Sequence, residues 1–363
     1  PHEVLLTPGQ KNHHLYFLLS GKIHIFLDEI DSINYFTTEA GDCIGEMSII
    51  QERAVSAFVV AAERSQLLVI HETVFWEKMS TIPNIMRNML SMLSERMRKQ
   101  NNVTREIFEK QLRYELLQKE VTAAGKLQAN IVPQDNPLFA EHSQVDVHAI
   151  MESAREVGGD FYDAFTVNQS HVCIAIGDVS GKGLPAALFM VRAITLLRMG
   201  LRKKKQFKTV METVNRMLIK NNPDCNFVTL FVGLLNLKNG RLQYYNGGHN
   251  PPFISQNGRP YELLPLPRGV LLGFAAQARY EMAETTLAAG DMLLLYTDGI
   301  TEAENGEQAF FGTERARQVL NLLGTQASAT SVINTLHTAV ADFVQDTPQS
   351  DDITMLALRY LGR

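Results

Sequence analysis

From Glu72 to Ala124 the chain contains no glycine and only one proline, Pro83, and Met, Leu, Glu, Lys, Gln and Arg dominate. These side chains lose little rotamer freedom in a helix, whereas glycine and proline are the residues a helix tolerates least. The spacing predicts helix from about Glu72 to Ile131, split by Pro83 into a short and a longer piece. Such a block divides the 363 residues into a part before it and a part after it, which suits two domains better than one. Within the block a seven-residue pattern places Ile107, Tyr114 and Val121 on one position and Leu117, Ala124 and Ile131 on a second, with Lys110 breaking it. That is an imperfect coiled-coil seam with charged flanks. It predicts a homodimer through the linker; a helix laid on its own domain is the alternative.

Ahead of the helix, residues 1 to about 72 read as short strands. Leu15–Leu19, Lys22–Phe26 and Phe58–Ala61 are apolar runs, and Ser20-Gly21 and Glu39–Asp42 supply turns. Many short strands suggest a β-barrel or jelly roll. Beyond the helix, strands alternate with helices. His171–Ile176, Phe227–Leu237, Leu242–Tyr245, Met292–Tyr296 and Ile353–Leu358 are strand candidates. Leu184–Leu201, Thr209–Lys220, Glu314–Leu323 and Ser331–Phe343 are helix candidates. This pattern predicts a layered α/β domain.

Hydrophobic residues make up 45% and charged residues 20%, enough for a sizeable core. A net charge of −5 gives no electrostatic reason to expect nucleic acid as a partner. The run Arg202, Lys203, Lys204, Lys205 reads as a solvated helix end. Cys43, Cys173 and Cys225 lack metal-ligand spacing and read as buried free thiols of a reducing, cytoplasmic compartment. No stretch approaches the roughly 18 uninterrupted apolar residues of a membrane span, and no signal peptide is visible. The chain begins at Pro1 rather than methionine, which leaves room for an upstream segment.

Four aspartates lie at the ends of apolar runs or in tight loops: Asp160 in Val-Gly-Gly-Asp-Phe-Tyr-Asp163, Asp178 in Ile-Gly-Asp-Val-Ser-Gly-Lys-Gly183, Asp298 in Leu-Tyr-Thr-Asp-Gly299 and Asp351 in Gln-Ser-Asp-Asp-Ile-Thr354. One such aspartate is an ordinary turn or cap residue. Four that share a site repel one another unless divalent cations neutralise them, and hard oxygen ligands suit Mg²⁺ or Mn²⁺. A pair of such ions holds water and clamps a phosphoryl oxygen. The Gly181-Lys-Gly183 loop fails the spacing of a nucleotide phosphate loop and reads as the turn presenting Asp178, its glycines allowing close backbone approach.

Six strings occur in order: Leu127–Pro133, Glu156–Asp163, Gly177–Ala187, Tyr245–Pro252, Tyr296–Ala303 and Ser350–Thr354. Together they resemble the SpoIIE/RsbU-like branch of the PPM metal-dependent protein phosphatases, over about Leu127 to Arg363. The resemblance implies a β-sandwich flanked by helices with two metal ions at one edge. It implies that Asp178 bridges both ions, that Asp160 and the carbonyl of Val179 complete one site, and that Asp298 and Asp351 complete the other. It further implies direct attack of water on phosphorus without a phosphoenzyme. The implied substrate is a phosphoserine or phosphothreonine protein, typically a STAS-domain anti-sigma-factor antagonist. Asp163 and Asp352 are candidates for supporting hydrogen bonds or for surface turns. Arg155 suits a substrate phosphate or a surface ion pair. His249 reads as a proton donor or as a turn histidine with a structural hydrogen bond.

Residues 1 to about 100 resemble the cyclic-nucleotide-binding domain family through Leu6–Gly9, Leu15–Gly21, Ala40–Ser48 and Ser56–Ala61. Gly45 and Glu46 match its ribose- and phosphate-binding turn. Val55 stands where the family's phosphate-pairing arginine belongs, and Arg53 lies two residues earlier, about 6 to 7 Å along an extended chain. Gly45, Glu46 and Arg53 are thus the candidate ligand residues, with a cyclic nucleotide, another ligand or a structural role left open. The expected architecture is α+β, with three parts. Residues 1–100 form a β-barrel or jelly-roll sensor. Residues 101–131 form a helical coiled-coil linker. Residues 132–363 form an α/β/β/α-layered PPM domain. The heptad seam runs into Leu127–Pro133 just ahead of the aspartate motifs, which predicts that the linker controls the site. A non-catalytic signalling scaffold and a cyclic-nucleotide-responsive regulator are the competing functions.

Overall fold

The structure, a computed structural model, describes the chain apart from Asp31, Asn34, Asn136, residues 203–206, Thr325, Arg363 and the side chain of Arg202. Lys203, Lys204 and Lys205 of the basic run therefore lie outside the described residues. The chain divides into two units, Pro1–Arg113 and Tyr114–Arg363.

In the first unit, short antiparallel strands form two sheets. β1 (Val4–Leu6), β2 (His14–Ser20), β3 (Ile23–Phe26), β4 (Tyr35–Thr38) and β5 (Cys43–Ile44) precede helix α1 (Glu46–Ile50), which β6 (Phe58–Ala61) and β7 (Gln66–His71) follow. The sheet orders are β1-β6-β3-β4 and β5-β2-β7. Leu18, Ile23, Ile44 and Val59 share one buried cluster, while Leu15, Cys43, Ile49 and Phe75 share another. The expected runs at Leu15–Leu19, Lys22–Phe26 and Phe58–Ala61 are strands here, with ends shifted by a residue or so.

A short helix α2 (Glu72–Val74) and a π-helical turn (Phe75–Met79) end before Pro83, which opens the 47-residue helix α3 (Pro83–Ala129). Proline suits that position because its missing N–H would be unpaired there anyway. On the seam, Ile107, Tyr114 and Leu117 are exposed and Val121 and Ala124 half-buried. Ile131, expected as the last seam residue, falls in the turn beyond Ala129, so the seam stops at Ala124.

The second unit is a sandwich of two five-stranded antiparallel sheets. One, ordered β15-β12-β11-β10-β9, contains β9 (Phe161–Asn168), β10 (His171–Val179), β11 (Val228–Asn236), β12 (Arg241–Gly247) and β15 (Ala283–Thr286). The other, ordered β14-β13-β16-β17-β8, contains β8 (Val145–Glu152), β13 (Phe253–Ser255), β14 (Glu262–Leu263), β16 (Met292–Tyr296) and β17 (Ile353–Tyr360). Helices α4 (Leu184–Arg202) and α5 (Val210–Ile219) cover the first sheet, and α7 (Thr313–Leu322) and α8 (Ala329–Val344) cover the second, with the short α6 (Asp298–Thr301) at its edge. Side-chain alternation explains the layering. Leu293 and Leu295 of β16 and Leu356 and Leu358 of β17 join the cluster between the sheets. Leu294, Tyr296, Met355 and Ala357 join the cluster under α7 and α8. The layers are thus α/β/β/α, as expected. Helix α4 is long and apolar enough to cross a membrane by length and composition. Here Ala186, Met190, Ile194 and Leu197 are buried, on the helix that covers the first sheet. Cys43 and Cys173 are buried as expected, but Cys225 is exposed: its turn, Asn222–Asn226, puts it in a left-handed conformation (φ 54°) at the surface.

The end of α3 docks on the second unit's own loop. A β-carbon on Gly125 would lie 2.0 Å from the carbonyl oxygen of Glu156. In a free helix Gly→Ala stabilises by about 1 kcal/mol. Here the clash dominates, and Gly125→Ala is expected to destabilise by about 1–3 kcal/mol, measured by urea unfolding. A gain in stability would contradict this docking.

Candidate active site

Strand pairing gathers the aspartates. β9 and β10 are antiparallel neighbours, with Phe161 opposite Gly177. Asp160, just before β9, and Asp178, near the end of β10, therefore share one edge of the first sheet. β16 and β17 are likewise antiparallel, with Tyr296 opposite Met355. Asp298, just after β16, and Asp351, just before β17, share one edge of the second sheet. Thr297 joins the two edges: its hydroxyl donates to Asp160 Oδ2 (2.6 Å) and accepts from the amide of Thr354 (3.0 Å).

Asp352 holds the loop that carries Asp160. Its carboxylate accepts from the amides of Ala154 (2.8 Å) and Gly159 (2.8 Å), with a longer contact from Asp160 (3.4 Å). It is buried, so the supporting-bond alternative describes it and the surface-turn alternative does not. Glycine is required around it by close approach. A β-carbon on Gly299 would lie 2.0 Å from the Asp352 carbonyl oxygen, and one on Gly159 would lie 2.7 Å from that of Val179. Gly181 and Gly183 differ: added β-carbons there meet nothing, but φ values of 84° and 77° need glycine. The expected close backbone approach thus belongs to Gly159 and Gly299, not to the Gly181-Lys-Gly183 loop.

Helix α3 reaches the same loop through Gln128, which is buried. Its amide donates to the Gly158 carbonyl (2.6 Å) and its carbonyl accepts from the Gly158 amide (3.3 Å). Asp163, 0% exposed, is neither a surface turn nor at the carboxylate edge. It lies opposite Ala175 on β10 and takes two hydrogen bonds from Arg198, which also donates to the Ile131 carbonyl. Sequence reasoning missed Gln128, Thr297, Thr229 and Arg198. Two of them carried a signal: Thr297, as the residue before Asp298 in an aspartate motif, and Gln128, within the Leu127–Pro133 string.

Cations line the rim. Lys182 Nζ lies 3.0 Å from Asp351 Oδ2 and 2.9 Å from the Ser350 carbonyl. Arg155 is exposed beside a small cleft that Asp178, Lys182, Asp351 and Asp352 also line. His249 is inside: Nδ1 lies 2.8 Å from Thr229 Oγ1 and Nε2 3.1 Å from the Tyr296 carbonyl. Burial lowers its pKa to about 4, so it is a neutral, structurally bonded histidine.

The carboxylates are electrostatically frustrated. Burial, then the charge of Asp178, raise Asp160 well above the carboxylate range despite the Thr297 bond. Burial, then Asp298, Asp351 and Asp352, push Asp178 up to about 7, although Asp160 hydrogen-bonds it. Burial, then Glu302 and Asp351, raise Asp298. Hard oxygen donors under this mutual repulsion fit divalent cations, and the Val179 carbonyl is left approachable by Gly159. Among the described residues, no three His, Cys, Asp or Glu side chains already stand in a ready-made coordination shell.

In the first unit, Gly45, Glu46 and Arg53 line one cavity of about 240 Å³. Gly45 is left-handed (φ 84°), and a β-carbon would meet Asn12 Nδ2 at 2.7 Å. Glu46 is 2% exposed and paired with Arg96 of α3 (2.5 Å), which also donates to the Cys43 carbonyl (2.8 Å). Arg53 is exposed, and Val55 is buried in the core. Arg96 was not a candidate from sequence, since nothing local ties it to Glu46.

A two-sheet sandwich with helices outside and carboxylates gathered at one edge is the PP2C, or PPM, architecture. The SiaA-PP2C domain of Pseudomonas aeruginosa shares it, with a TM-score of 0.58 and 20% identity over 68% of this chain and 98% of that domain. Stage II sporulation protein E (SpoIIE) matches residues 168–361, and the cyclic nucleotide-binding domain matches residues 1–81. The chain belongs to the SpoIIE family. It is 30% identical over 267 residues to Protein IcfG of Synechocystis, covering 66% of this chain and 41% of IcfG. It is 28% identical over 256 residues to phosphoserine phosphatase RsbU of Bacillus subtilis, covering 67% of this chain and 72% of RsbU.

A carboxylate whose pKa is raised on folding holds its proton more tightly in the folded state. It favours folding at low pH, and that contribution is lost as pH rises through the folded value. Stability of the metal-free protein is therefore expected to fall between about pH 4 and 7 through Asp178, and Asp178→Asn should flatten the fall. Thermal melts in chelator check this. A wild-type profile that rises across that window would contradict the repulsion described.

Proposed function

We propose that the second unit is a metal-dependent protein serine/threonine phosphatase acting on a phosphoprotein, a STAS-domain anti-sigma-factor antagonist, in a cytoplasmic signalling pathway. One observation carries this proposal: four carboxylates from two sheets converge at one edge, where burial and neighbouring acidic charge raise the pKa values of Asp160, Asp178 and Asp298. Asp160, Asp178, Asp298 and Asp351, with the carbonyl of Val179, would hold two Mn²⁺ or Mg²⁺ ions, and Asp178 would be shared. When bound, the ions supply counter-charge and activate water for attack on phosphorus. The chain's own residues do the rest. Arg155 and Lys182 stand at the rim, where a guanidinium and an ammonium would bind the substrate phosphoryl oxygens. Asp352 and Thr297 keep Asp160 in place from behind.

Hydrolysis of p-nitrophenyl phosphate and of phosphorylated STAS-domain proteins is expected in Mn²⁺ or Mg²⁺ and should stop in chelator. Asp178→Asn should lower kcat at least about a hundredfold, the upper end of what even supporting residues of a metal site contribute. Arg155→Ala should act mainly on KM. Turnover that ignores both chelator and Asp178→Asn would contradict the assignment.

We further propose regulation through α3, acting as a dimer along its exposed seam. Gly125 and Gln128 grip the Glu156–Gly159 loop, so a shift at the end of α3 would move Asp160. The first unit, with Gly45, Glu46 and Arg53 around its cavity, would be the sensor, for a cyclic nucleotide or another small ligand. Deleting residues 1–100 should change turnover or its response to ligand; unchanged turnover under every ligand tested would end that idea.

A further inference from the structure

The Gly247-Gly248-His249 turn places an imidazole between the two sheets. Glycine is what lets it fit. A β-carbon on Gly247 would lie 2.3 Å from Leu272 Cδ1, and one on Gly248, at φ 76°, would lie 2.7 Å from Leu271 Cδ2. The His249 amide donates to Asn246 Oδ1 (3.2 Å), which fixes the turn. His249 itself is 5% exposed, so it touches no substrate.

Its hydrogen bonds have one consistent direction. The Tyr296 carbonyl only accepts, so Nε2 carries the proton. Nδ1 of the neutral ring then accepts, and the Thr229 hydroxyl must donate to it. With its single proton used, Thr229 Oγ1 offers a lone pair to the amide of Asp178 (3.3 Å). A polar chain thus runs from the Asp178 backbone on one sheet, through Thr229 and His249, to the carbonyl two residues before Asp298 on the other.

Catalytic constellations need placement to within roughly 0.5 Å. The apolar layer between the sheets is non-directional and does not fix that register by itself. Directional bonds do. We propose that His249 is a positioning residue: by bridging the sheets behind the carboxylates, it sets the spacing between Asp178 and Asp298. The inference rests on the metal-dependent phosphatase proposed above, but its consequences are visible in ion binding alone.

The test uses the full chain and Mn²⁺ titration calorimetry, beside circular dichroism melts and p-nitrophenyl phosphate kinetics. His249→Gln retains a donor for Tyr296, and His249→Asn retains an acceptor for Thr229; neither keeps both. Each is expected to weaken Mn²⁺ binding about tenfold or more and to lower kcat more than it raises KM. Thr229→Val, nearly isosteric, should reproduce the loss, Thr229→Ser should restore it, and the Thr229→Val/His249→Gln pair should be no worse than either single change. Lower melting temperatures with wild-type Mn²⁺ affinity in Thr229→Val and the folded His249 variants would overturn the proposal. A wild type that binds Mn²⁺ without hydrolysing phosphate, with the same affinity losses in the variants, would uphold it and refute the phosphatase assignment instead.

Discussion

Like charges drawn to one edge are the constraint around which the second unit is organised. Asp160, Asp178, Asp298 and Asp351 come from four different strand ends, and each strand is buried on both faces. The fold cannot relieve their repulsion by moving one strand, because each belongs to a close-packed sheet. It responds with fixed partners instead. Thr297 donates to Asp160, backbone amides surround Asp352, and Lys182 approaches Asp351. These bonds reduce the electrostatic cost without removing it, and the remaining demand for positive charge is what divalent cations would meet.

Much of this was legible in the residues. Long apolar runs such as His171–Ile176 and Met292–Tyr296 announce buried strands, and the aspartates at their ends announce the site. The strand candidates omit the six-residue β7, and also the eight-residue β8 and β9, in which polar residues interrupt the apolar ones. The rest of what stayed hidden has two physical origins. Strands of two to four residues, such as β5, β14 and β15, are too short to show a period. Contacts between distant segments leave no local trace: Gln128 on Gly158, Asp352 on Ala154, and Arg96 on Glu46 each depend on the completed fold. Glycines illustrate a finer limit. The sequence marks them equally, yet Gly181 serves a left-handed turn while Gly159 clears room for a carbonyl.

Helix α3 has a part in each unit. To the first it contributes Arg96, whose guanidinium holds the buried Glu46 carboxylate. Burial still leaves that carboxyl's pKa raised, with Arg96 opposing the shift. To the second it contributes Gly125 and Gln128, which hold the loop before Asp160. Both anchors sit where a small displacement has chemical consequences, one at a cavity wall and one beside a carboxylate. The exposed apolar residues between them, Ile107, Tyr114 and Leu117, carry the heptad spacing.

Whether the gathered carboxylates bind divalent ions is decided most directly by anomalous scattering from crystals grown with Mn²⁺. Two peaks within coordination distance of Asp178 are expected, one also reached by Asp160 and the other by Asp298 and Asp351, and both absent from Asp178→Asn crystals. A Mn²⁺-saturated crystal with no peak among these side chains would contradict the metal site, and with it the chemistry assigned to this edge of the sandwich.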